Sequence, residues 1–432
     1  MTAQPGSGRR RQAAIYRAGV LGRRPAVPTD AAALEAAARR ACSPTAWAYV
    51  AGGAGTGRTM RDNRAAFQRW SFLPRMAHGV AERDLSVELL GTRLPAPLLL
   101  APVGAGELVT RHSDLLIARA AASLGVPYVF SNQGCDPWED CAAAMGDAPR
   151  WVQLYWSTDE ELVDSFIRRA ERLGAGALVV TLDTTSLGWR PQDLDLGSLP
   201  FARGQGIAQY TSDPRFTAMV RDRLADPARV RQPVEVTVGA IRSLLTIARS
   251  HPGRLLDNLR SAQPRAAVET FLEVYSNPAL SWEHLATLRD RTSLPVVLKG
   301  VLHPDDARRA VELGAAAVVV SNHGGRQVDG AIASLDALPA VRDAVGPDAT
   351  VLLDSGVRTG ADVATALALG ADAVLLGRPY LYGLAVAGER GVREVVENVI
   401  AELDLTMALT GARHPAALTR DLLVPNPSFP AG

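Results

Sequence analysis

The sequence is poor in cysteine, which argues against two common ways of stabilising a fold. Its 432 residues contain three cysteines, Cys42, Cys135 and Cys141. An odd count at uneven spacing fits neither a disulfide framework nor a zinc site. Free thiols are typical of a reducing compartment. We therefore expect a cytoplasmic protein without a metal site.

The chain also lacks an excess of one charge and a long apolar run. Lysine plus arginine number 46 against 45 acidic residues, a net charge of +1, so nothing favours a nucleic-acid partner. No run approaches the roughly 18 apolar residues of a membrane span. Arg9, Arg10 and Arg11 are not followed by the apolar segment of a signal peptide. We expect these arginines to form a disordered basic tail.

Hydrophobic residues make up 47% of the chain, enough for a sizeable core, and they recur in a regular pattern. Eight short apolar runs begin after about residue 95: 97–103, 127–131, 151–156, 177–183, 295–300, 317–322, 350–356 and 373–379. Helical patterns separate most of them: 115–124, 160–173, 304–313 and 360–369. Glycines typical of helix ends follow these patterns: Gly125, Gly174, Gly314 and Gly370.

Strands that alternate with helices predict an α/β fold with a parallel sheet. Eight such units predict a (β/α)₈ TIM barrel, in which the chemistry lies at the carboxyl ends of the strands. A doubly wound open sheet is the alternative. No G-x-G-x-x-G motif follows an early strand to support a dinucleotide-binding fold.

Two segments lie outside the eightfold pattern. We predict an N-terminal helical extension over residues 1–90, including a helix at 30–41, and a barrel over residues 91–432. Within the barrel, residues 191–294 separate the fourth and fifth strands, far more than an ordinary connection needs. This insertion is expected to be a lid, a partner surface or a membrane-contact element. As a lid, it should tolerate shortening between residues 213 and 276 without loss of the core site.

Part of the insertion is basic and amphipathic. Residues 215–265 contain ten arginines and four acidic residues. The apolar residues on one predicted helix face are Val238, Ile241, Leu244, Leu245 and Ala248. Such a helix can lie on a membrane surface, but a stripe of this kind more often packs on its own protein. Membrane contact is therefore not our expectation.

Polar side chains cluster at the ends of the predicted strands, where a barrel places its active site. The sixth strand is followed by Ser321-Asn322-His323-Gly324-Gly325-Arg326-Gln327. A histidine can accept a proton near neutral pH, and an arginine beside it can hold a carboxylate by two hydrogen bonds. Further cations follow neighbouring strands: Arg190, Lys299, Arg358 and Arg378. Such a set calls for an anionic ligand, most simply a phosphate together with a carboxylate.

Many ordered motifs make the chain similar to one known family. They are residues 49–54, 101–104, 153–155, 181–184, 298–300, 321–327, 353–358 and 377–379. Together they span about Tyr49 to Gly411 and resemble the FMN-dependent 2-hydroxy acid oxidases and dehydrogenases. Within that family, residues 82–89, 188–191, 303–311 and 358–363 are most similar to lactate 2-monooxygenase.

The resemblance implies a role for each matching residue. His323 would be the base that accepts the substrate proton, and Asp183 would stabilise its protonated form. The resemblance makes Tyr155 and Arg326 catalytic as well. The substrate would be bound by Tyr49, Tyr155, Arg190, His323 and Arg326. FMN would be held by Pro102, Val103, Gly104, Ser131, Gln153, Thr181, Lys299, Ser321, Asp354, Gly356, Arg358, Gly377 and Arg378. Lys299 would lie at the N1–C2=O edge of the flavin, and the last five residues would surround its phosphate.

The implied reaction is oxidation of an L-2-hydroxy acid to a 2-oxo acid with O₂ as acceptor, coupled to oxidative decarboxylation as in lactate 2-monooxygenase. A simple oxidase that releases H₂O₂ and a quinone-linked dehydrogenase are the alternatives. A flavin isomerase or a degenerate FMN-binding module is a further class, and the intact set of Tyr49, Tyr155, His323 and Arg326 argues against it.

Two residues bear on the substrate, and the family bears on assembly. Gln133 and Gly104 stand where glycolate oxidases carry a tryptophan and an alanine. Both replacements are expected to open space near the substrate side chain, which favours lactate or a bulkier 2-hydroxy acid. The expected partners are the small 2-hydroxy acid and O₂. The family implies a homo-oligomer, either a tetramer or an octamer.

Overall fold

Parallel strands close into a barrel in the computed structural model, which describes residues 6–226 and 235–429. The strands are β1 (Trp70–Phe72), β2 (Val87–Leu89), β3 (Thr92–Leu94), β4 (Leu98–Leu100), β5 (Tyr128–Phe130), β6 (Arg150–Leu154), β7 (Leu178–Thr181), β8 (Val296–Val301), β9 (Ala317–Val320), β10 (Thr350–Leu353), β11 (Ala373–Leu376) and β12 (Leu423–Pro425). Strands β4 to β11 pair in chain order, and β11 pairs with β4 to complete the circle. The predicted (β/α)₈ barrel is confirmed, and the open-sheet alternative is wrong.

Helices follow the barrel strands and also build the two added segments. They are α1 (Ser7–Val20), α2 (Ala31–Ala41), α3 (Pro44–Ala51), α4 (Arg58–Gln68), α5 (Ser113–Leu124), α6 (Trp138–Met145), α7 (Glu160–Arg172), α8 (Pro191–Asp195), α9 (Ala208–Thr211), α10 (Pro214–Ala225), α11 (Val238–Ser250), α12 (Leu255–Arg260), α13 (Gln263–Val274), α14 (Trp282–Ala286), α15 (Leu288–Arg291), α16 (Pro304–Glu312), α17 (Ser334–Val345), α18 (Gly360–Ala368) and α19 (Arg378–Thr410). The four predicted helix-ending glycines all have positive φ, as predicted.

A short hairpin precedes the barrel and shares its inner core. Strands β2 and β3 pair antiparallel, and the chain enters β4 directly afterwards. Leu89 and Leu94 of the hairpin belong to the same buried cluster as Leu99, Val129 and Val319 of the barrel strands. The interior is therefore a packed core, and the hairpin covers the end at which the strands begin. Chemistry is left to the other end.

The N-terminal extension is ordered from its first described turn, so the expected disordered tail is wrong. The three arginines lie in α1, and Arg11 Nε donates to Asn398 Oδ1 at 2.9 Å. The same guanidinium pairs with Glu397 at 2.9 Å. This packing could not be predicted from the sequence, because the residues that pair with Arg11 lie on α19, almost 400 positions further along the chain. Further along the extension, α3 brings Tyr49 to the barrel mouth.

The insertion is largely built into the body of the protein, although its residues 227–234 lie outside the described part. Phe201, Tyr210, Phe216 and Phe271 are buried in the main core. Arg169 of α7 connects this segment to the barrel through Asp213 Oδ2 at 3.4 Å and the Gln209 carbonyl oxygen at 2.6 Å.

The predicted amphipathic helix is α11, and its apolar stripe is only partly covered. Ala248 is buried, whereas Val238, Ile241 and Leu244 are 67%, 51% and 44% exposed. Among the described residues, no helix is long and apolar enough to cross a membrane. The stripe therefore packs on its own protein at one end and faces solvent at the other.

Candidate active site

The loops after β7 and β9 bring a histidine and an aspartate together. His323 Nδ1 lies 2.8 Å from Asp183 Oδ1, and Thr184 Oγ1 lies 3.3 Å from the same nitrogen. His323 has a φ of 57°, a left-handed conformation that costs energy for a residue with a side chain. The backbone N–H of the same residue donates to Ser321 Oγ at 3.1 Å. The imidazole is thus held by its ring and its backbone, with Nε2 left to meet a substrate.

Burial and charge act in opposite directions on this pair. Burial lowers the pKa of His323 and Lys299 lowers it further, while Asp183 raises it; the net shift is downward. Burial would raise the pKa of Asp183, but the charges of His323 and Lys299 and the hydrogen bond from His323 outweigh it. Asp183 therefore stays ionised while His323 is neutral near pH 7. A neutral imidazole beside a fixed carboxylate is suited to accept a proton.

Two arginines and a tyrosine line the cleft next to the histidine. The Arg326 guanidinium donates to the carbonyl oxygens of Tyr49 and Gly52, the latter at 3.0 Å. Its central carbon lies 4.8 Å from the centre of the Tyr49 ring. Arg190 Nε donates to the Arg326 carbonyl oxygen at 3.2 Å. The two cations are thus fixed side by side, a geometry that suits a carboxylate ligand.

Lys299 lies deeper, between an aspartate and a serine. Its Nζ donates to Ser321 Oγ at 2.9 Å and is 2.9 Å from Asp354 Oδ2. Burial would lower the pKa of Lys299, but Asp354 and Asp183 outweigh this effect and raise it. The ammonium is therefore a permanent positive charge at the floor of the cleft. Burial, reinforced by Asp183, raises the pKa of Tyr155 to about 12, so this phenol keeps its proton.

A chain of buried polar side chains runs behind the cleft at the ends of β5, β6 and β7. Gln153 Nε2 donates to Thr181 Oγ1 at 2.9 Å, and Ser131 Oγ donates to Gln153 Oε1 at 3.3 Å. Since each amide atom is engaged, the Gln153 side chain has one fixed orientation. This chain forms a rigid polar layer behind the cleft.

The far end of the cleft is formed by the loops after β10 and β11. Arg358 Nε is buried and has no hydrogen-bond partner among the described residues. Arg378 donates to the carbonyl oxygens of Val50, Gly52 and Gly324 at 3.0, 2.8 and 2.9 Å. Arg378 therefore joins the extension to the histidine loop, while Arg358 offers an unused donor.

Like charges crowd this site. Burial lowers the pKa of Arg326, Arg358 and Arg378, and repulsion from neighbouring arginines lowers it further. A guanidinium nevertheless stays protonated in proteins. The crowded cations would therefore be stabilised by anions. Arg326 and Arg378 lie so close that both donate to the Gly52 carbonyl oxygen.

Most of the predicted residues line this one cleft, which opens partly to solvent. Those that line it are Tyr49, Pro102, Val103, Gly104, Tyr155, Arg190, Lys299, His323, Arg326, Asp354, Gly356, Arg358, Gly377 and Arg378. Those that stand directly behind it are Ser131, Gln153, Thr181, Asp183 and Ser321.

Sequence reasoning missed the apolar wall of the cleft. Phe201 and Tyr275 of the insertion and Leu187 of the β7 loop line it. The Phe201 ring meets the Tyr49 ring edge-on at 6.4 Å between centroids. Phe201 and Tyr275 lie 74 positions apart in a segment without strand pattern. In the sequence, the aromatic character of these two residues is the signal that could have indicated a place in the site.

The expectation that Gly104 opens space near the substrate side chain is wrong. A Cβ atom at position 104 would lie 2.9 Å from Gln133 Cβ and 3.0 Å from its carbonyl oxygen. The space that glycine leaves is therefore taken up by Gln133 and is not open to a substrate. Gln133 itself lines the cleft where a larger side chain would fill it.

Taken with the barrel, these features form a candidate site in which a neutral histidine, paired with an aspartate, lies beside several buried cations. Comparison with known sequences identifies the family. The FMN-dependent dehydrogenase family matches residues 38–425, and the chain belongs to it. FMN-dependent oxidation of 2-hydroxy acids is accordingly its chemistry, and FMN is its cofactor.

Three relatives illustrate the match. The chain is 42% identical over 413 residues to the FMN-dependent alpha-hydroxy acid dehydrogenase qulF of Penicillium citrinum, covering 95% of this chain and 94% of the relative. It is 40% identical over 378 residues to the L-lactate oxidase of Lysinibacillus sphaericus (strain C3-41), covering 88% of each. Among solved structures, mandelate oxidase aligns with a TM-score of 0.73 and 32% identity, covering 93% of this chain and 99% of that one.

The residues present fit FMN. Arg358 Nε is a buried, unpartnered donor at the cationic end of the cleft. Gly356 and Gly377 line the same cleft, and at Gly356 a side chain would collide with the Asn63 carbonyl oxygen. Lys299 supplies a fixed positive charge in the middle of the cleft. Such a charge stabilises a ring that becomes negative on reduction.

Proposed function

We propose that this protein oxidises an L-2-hydroxy acid larger than glycolate, passes the electrons to O₂, and decarboxylates the 2-oxo acid before it leaves. The observation that carries the proposal is the pairing of His323 with Asp183 at 2.8 Å beside the fixed pair Arg190 and Arg326. A 2-hydroxy acid carries its carboxylate one carbon away from its hydroxyl. One pose can therefore satisfy both groups.

The residues act on the substrate as follows. Arg326 and Arg190 hold the carboxylate, and the phenol of Tyr49 adds a hydrogen bond. Tyr155, protonated because its pKa is about 12, donates to the substrate hydroxyl oxygen. His323 accepts the proton that leaves, and Asp183 stabilises the imidazolium that forms. This set serves a hydride route and a carbanion route equally.

FMN would be held by Lys299, by the backbone at residues 102–104 and, through its phosphate, by Arg358. Ser131, Gln153 and Thr181 would support the ring from behind, as their hydrogen-bond chain suggests. Asp354, Gly356, Gly377 and Arg378 would complete the phosphate end, and Ser321 would hold Lys299. When bound, FMN takes up the two electrons of the oxidation and returns them to O₂.

The aromatic wall supports coupled decarboxylation. Peroxide and a 2-oxo acid held together yield a shorter acid, CO₂ and water, so the outcome depends on how long the oxo acid stays. Phe201 and Tyr275 come from the insertion and line the cleft. A wall of this kind slows product release, and similarity to an L-lactate oxidase supports O₂ as acceptor.

A quinone-linked dehydrogenase is the second candidate. Val238, Ile241 and Leu244 of α11 face solvent, and such a face could contact a membrane that holds a quinone. Similarity to bacterial L-lactate dehydrogenases, at 37% identity, also supports this candidate.

The decisive experiment has two steps. First, glycolate, L-lactate, L-2-hydroxybutyrate and L-mandelate are added anaerobically to the yellow protein, and bleaching of its absorbance ranks them. Second, the best substrate is turned over in air with and without catalase, and H₂O₂, CO₂ and the acids are quantified. The proposal is supported if the CO₂ formed is proportional to the substrate consumed and if this CO₂ is still formed when catalase is present. Stoichiometric H₂O₂ would establish a simple oxidase, and slow reaction with O₂ but fast reaction with a quinone would establish the dehydrogenase. The matched control is the His323→Gln variant, which should keep FMN and bleach far more slowly.

A further inference from the structure

We propose that Gln327 is a positioning residue that fixes Arg190 and the Asp183 loop relative to each other. The proposal deepens the proposed function, because Arg190 and Asp183 are residues on which that function depends. Gln327 lies one residue beyond Arg326, and its side chain is not part of the cleft wall.

The Gln327 amide uses both of its ends. Its Nε2 donates to the carbonyl oxygen of Asp183 at 2.6 Å and to that of Ser186 at 3.0 Å. Its Oε1 accepts from the Arg190 guanidinium at 3.0 Å. Both amide hydrogens are thus engaged by one loop, and the oxygen is engaged by the arginine at the end of that loop.

The loop between Asp183 and Arg190 is also held by a backbone hydrogen bond, from Gly55 N–H to the Trp189 carbonyl oxygen at 2.8 Å. It contains no helix or strand, and it crosses closely over the backbone of the β9 loop. A Cβ atom at Gly188 would lie 2.5 Å from the Arg326 carbonyl oxygen and 2.9 Å from Gln327 Cα. At this crossing Gln327 is the side chain that connects the loop's beginning to its end.

The Gln327 side chain therefore has two effects, one on Arg190 and one on Asp183. Arg190 is oriented by two hydrogen bonds, one to the Arg326 carbonyl and one to Gln327. Without Gln327, the guanidinium gains rotational freedom and must be ordered again by each substrate. Without the anchors on residues 183 and 186, Asp183 is less well placed to support His323. The first loss weakens binding of a carboxylate, and the second slows proton transfer.

The test uses the holoenzyme and, as a probe, oxalate, a dicarboxylate that has no C–H bond to oxidise. Oxalate affinity is read from the change in flavin absorbance for wild type, Gln327→Met, Arg190→Met and the double variant. We expect Gln327→Met to weaken oxalate binding about tenfold, the usual effect of one hydrogen bond to a charged group. In the Arg190→Met background the same change should have little further effect, because its partner is already absent. In either background, Gln327→Met should also slow reduction of the flavin by the best 2-hydroxy acid.

Controls separate positioning from folding. Gln68→Met removes an exposed glutamine from α4 and should leave oxalate binding unchanged. Gln327→Asn keeps the amide but is one carbon shorter, and it should change binding in the same direction by less. It replaces the methionine variant if that variant loses FMN.

Three outcomes would overturn the proposal: unchanged oxalate affinity in Gln327→Met, an equal loss in both backgrounds, or losses that follow FMN content alone. Because oxalate binding needs no turnover, a wild-type protein that oxidises none of the acids would refute the proposed function and leave this test valid.

Discussion

Replacing Asp183 by asparagine would test the electrostatic core of the site. Asparagine has nearly the same shape and can still contact His323 Nδ1, but it carries no charge. In the native pair the two atoms are 2.8 Å apart, and the carboxylate is the main group that raises the pKa of His323. Removing the charge should therefore lower the pKa of His323 further and leave the imidazolium unsupported when it forms.

The size of the effect follows from the burial of the pair. Asp183 and His323 side chains are 13% and 19% exposed, so solvent screens them little. Loss of one partner from a buried pair costs about 3–5 kcal/mol. Because most of that cost falls on the protonated state of His323, the rate of flavin reduction should drop roughly 10²- to 10³-fold.

The assay is anaerobic stopped-flow reduction between pH 5 and 9, with FMN content measured for each preparation. Substrate oxidation needs neutral His323, so the rate rises with pH through the pKa of this residue. In the asparagine variant the plateau should be lower and the rise should move to lower pH. A rise that moves to higher pH, or a plateau within about threefold of wild type, would refute the role given to Asp183.

Three further predictions concern separate parts of the molecule. Arg358→Met should weaken FMN retention more than tenfold because it removes the unpartnered donor at the phosphate end, as measured by flavin fluorescence on dilution; retention equal to wild type would contradict that role. Arg326→Lys should raise KM more than it lowers kcat, since a lysine cannot reproduce a two-point grip; steady-state kinetics decides, and a kcat effect alone would argue against carboxylate binding. Phe271→Ala should lower the free energy of unfolding by about 3–5 kcal/mol, because Phe271 is fully buried. The control Leu272→Ala, at a residue 39% exposed, should change it by less than about 1 kcal/mol. Thermal melts measure both, and equal losses would show that the core of the insertion is less tightly packed than the structure indicates.

Local sequence pattern was sufficient for the barrel and for most of the site. Each barrel strand is a short apolar run, and most site residues lie in or soon after such a run, so strand order alone places His323, Lys299 and Asp354 at one end. The parallel barrel then makes neighbours of residues that are far apart in sequence. Asp183 and His323, 140 positions apart, meet because their strands are separated only by β8.

Features that depend on contacts without a local pattern were not predictable. The helix α1 was mistaken for a tail because its Arg11 pairs with Glu394 and Glu397 of α19, far away in the sequence. The three partners of Gln327 lie on a loop 137 to 144 positions earlier, which no motif indicates. In each case the residue types are ordinary and only the closed barrel brings them together.

The insertion shows most clearly how structure changes an argument drawn from sequence. As an addition to the strand pattern, it was expected to tolerate loss of residues 213–276 without damage to the site. Yet Asp213 caps α10, accepts from Ser165 Oγ at 2.8 Å and pairs with the buried Arg169. Phe271 stacks on Tyr275 at 4.9 Å, and Tyr275 lines the cleft. Removing that range would therefore take away part of the substrate wall along with the core behind it. In the described part of the insertion, the face of α11 that carries Val238, Ile241 and Leu244 is exposed enough to be altered while the wall stays in place. Any experiment on product retention must vary the wall through Phe201 or Tyr275 and must keep Asp213 and Phe271 intact.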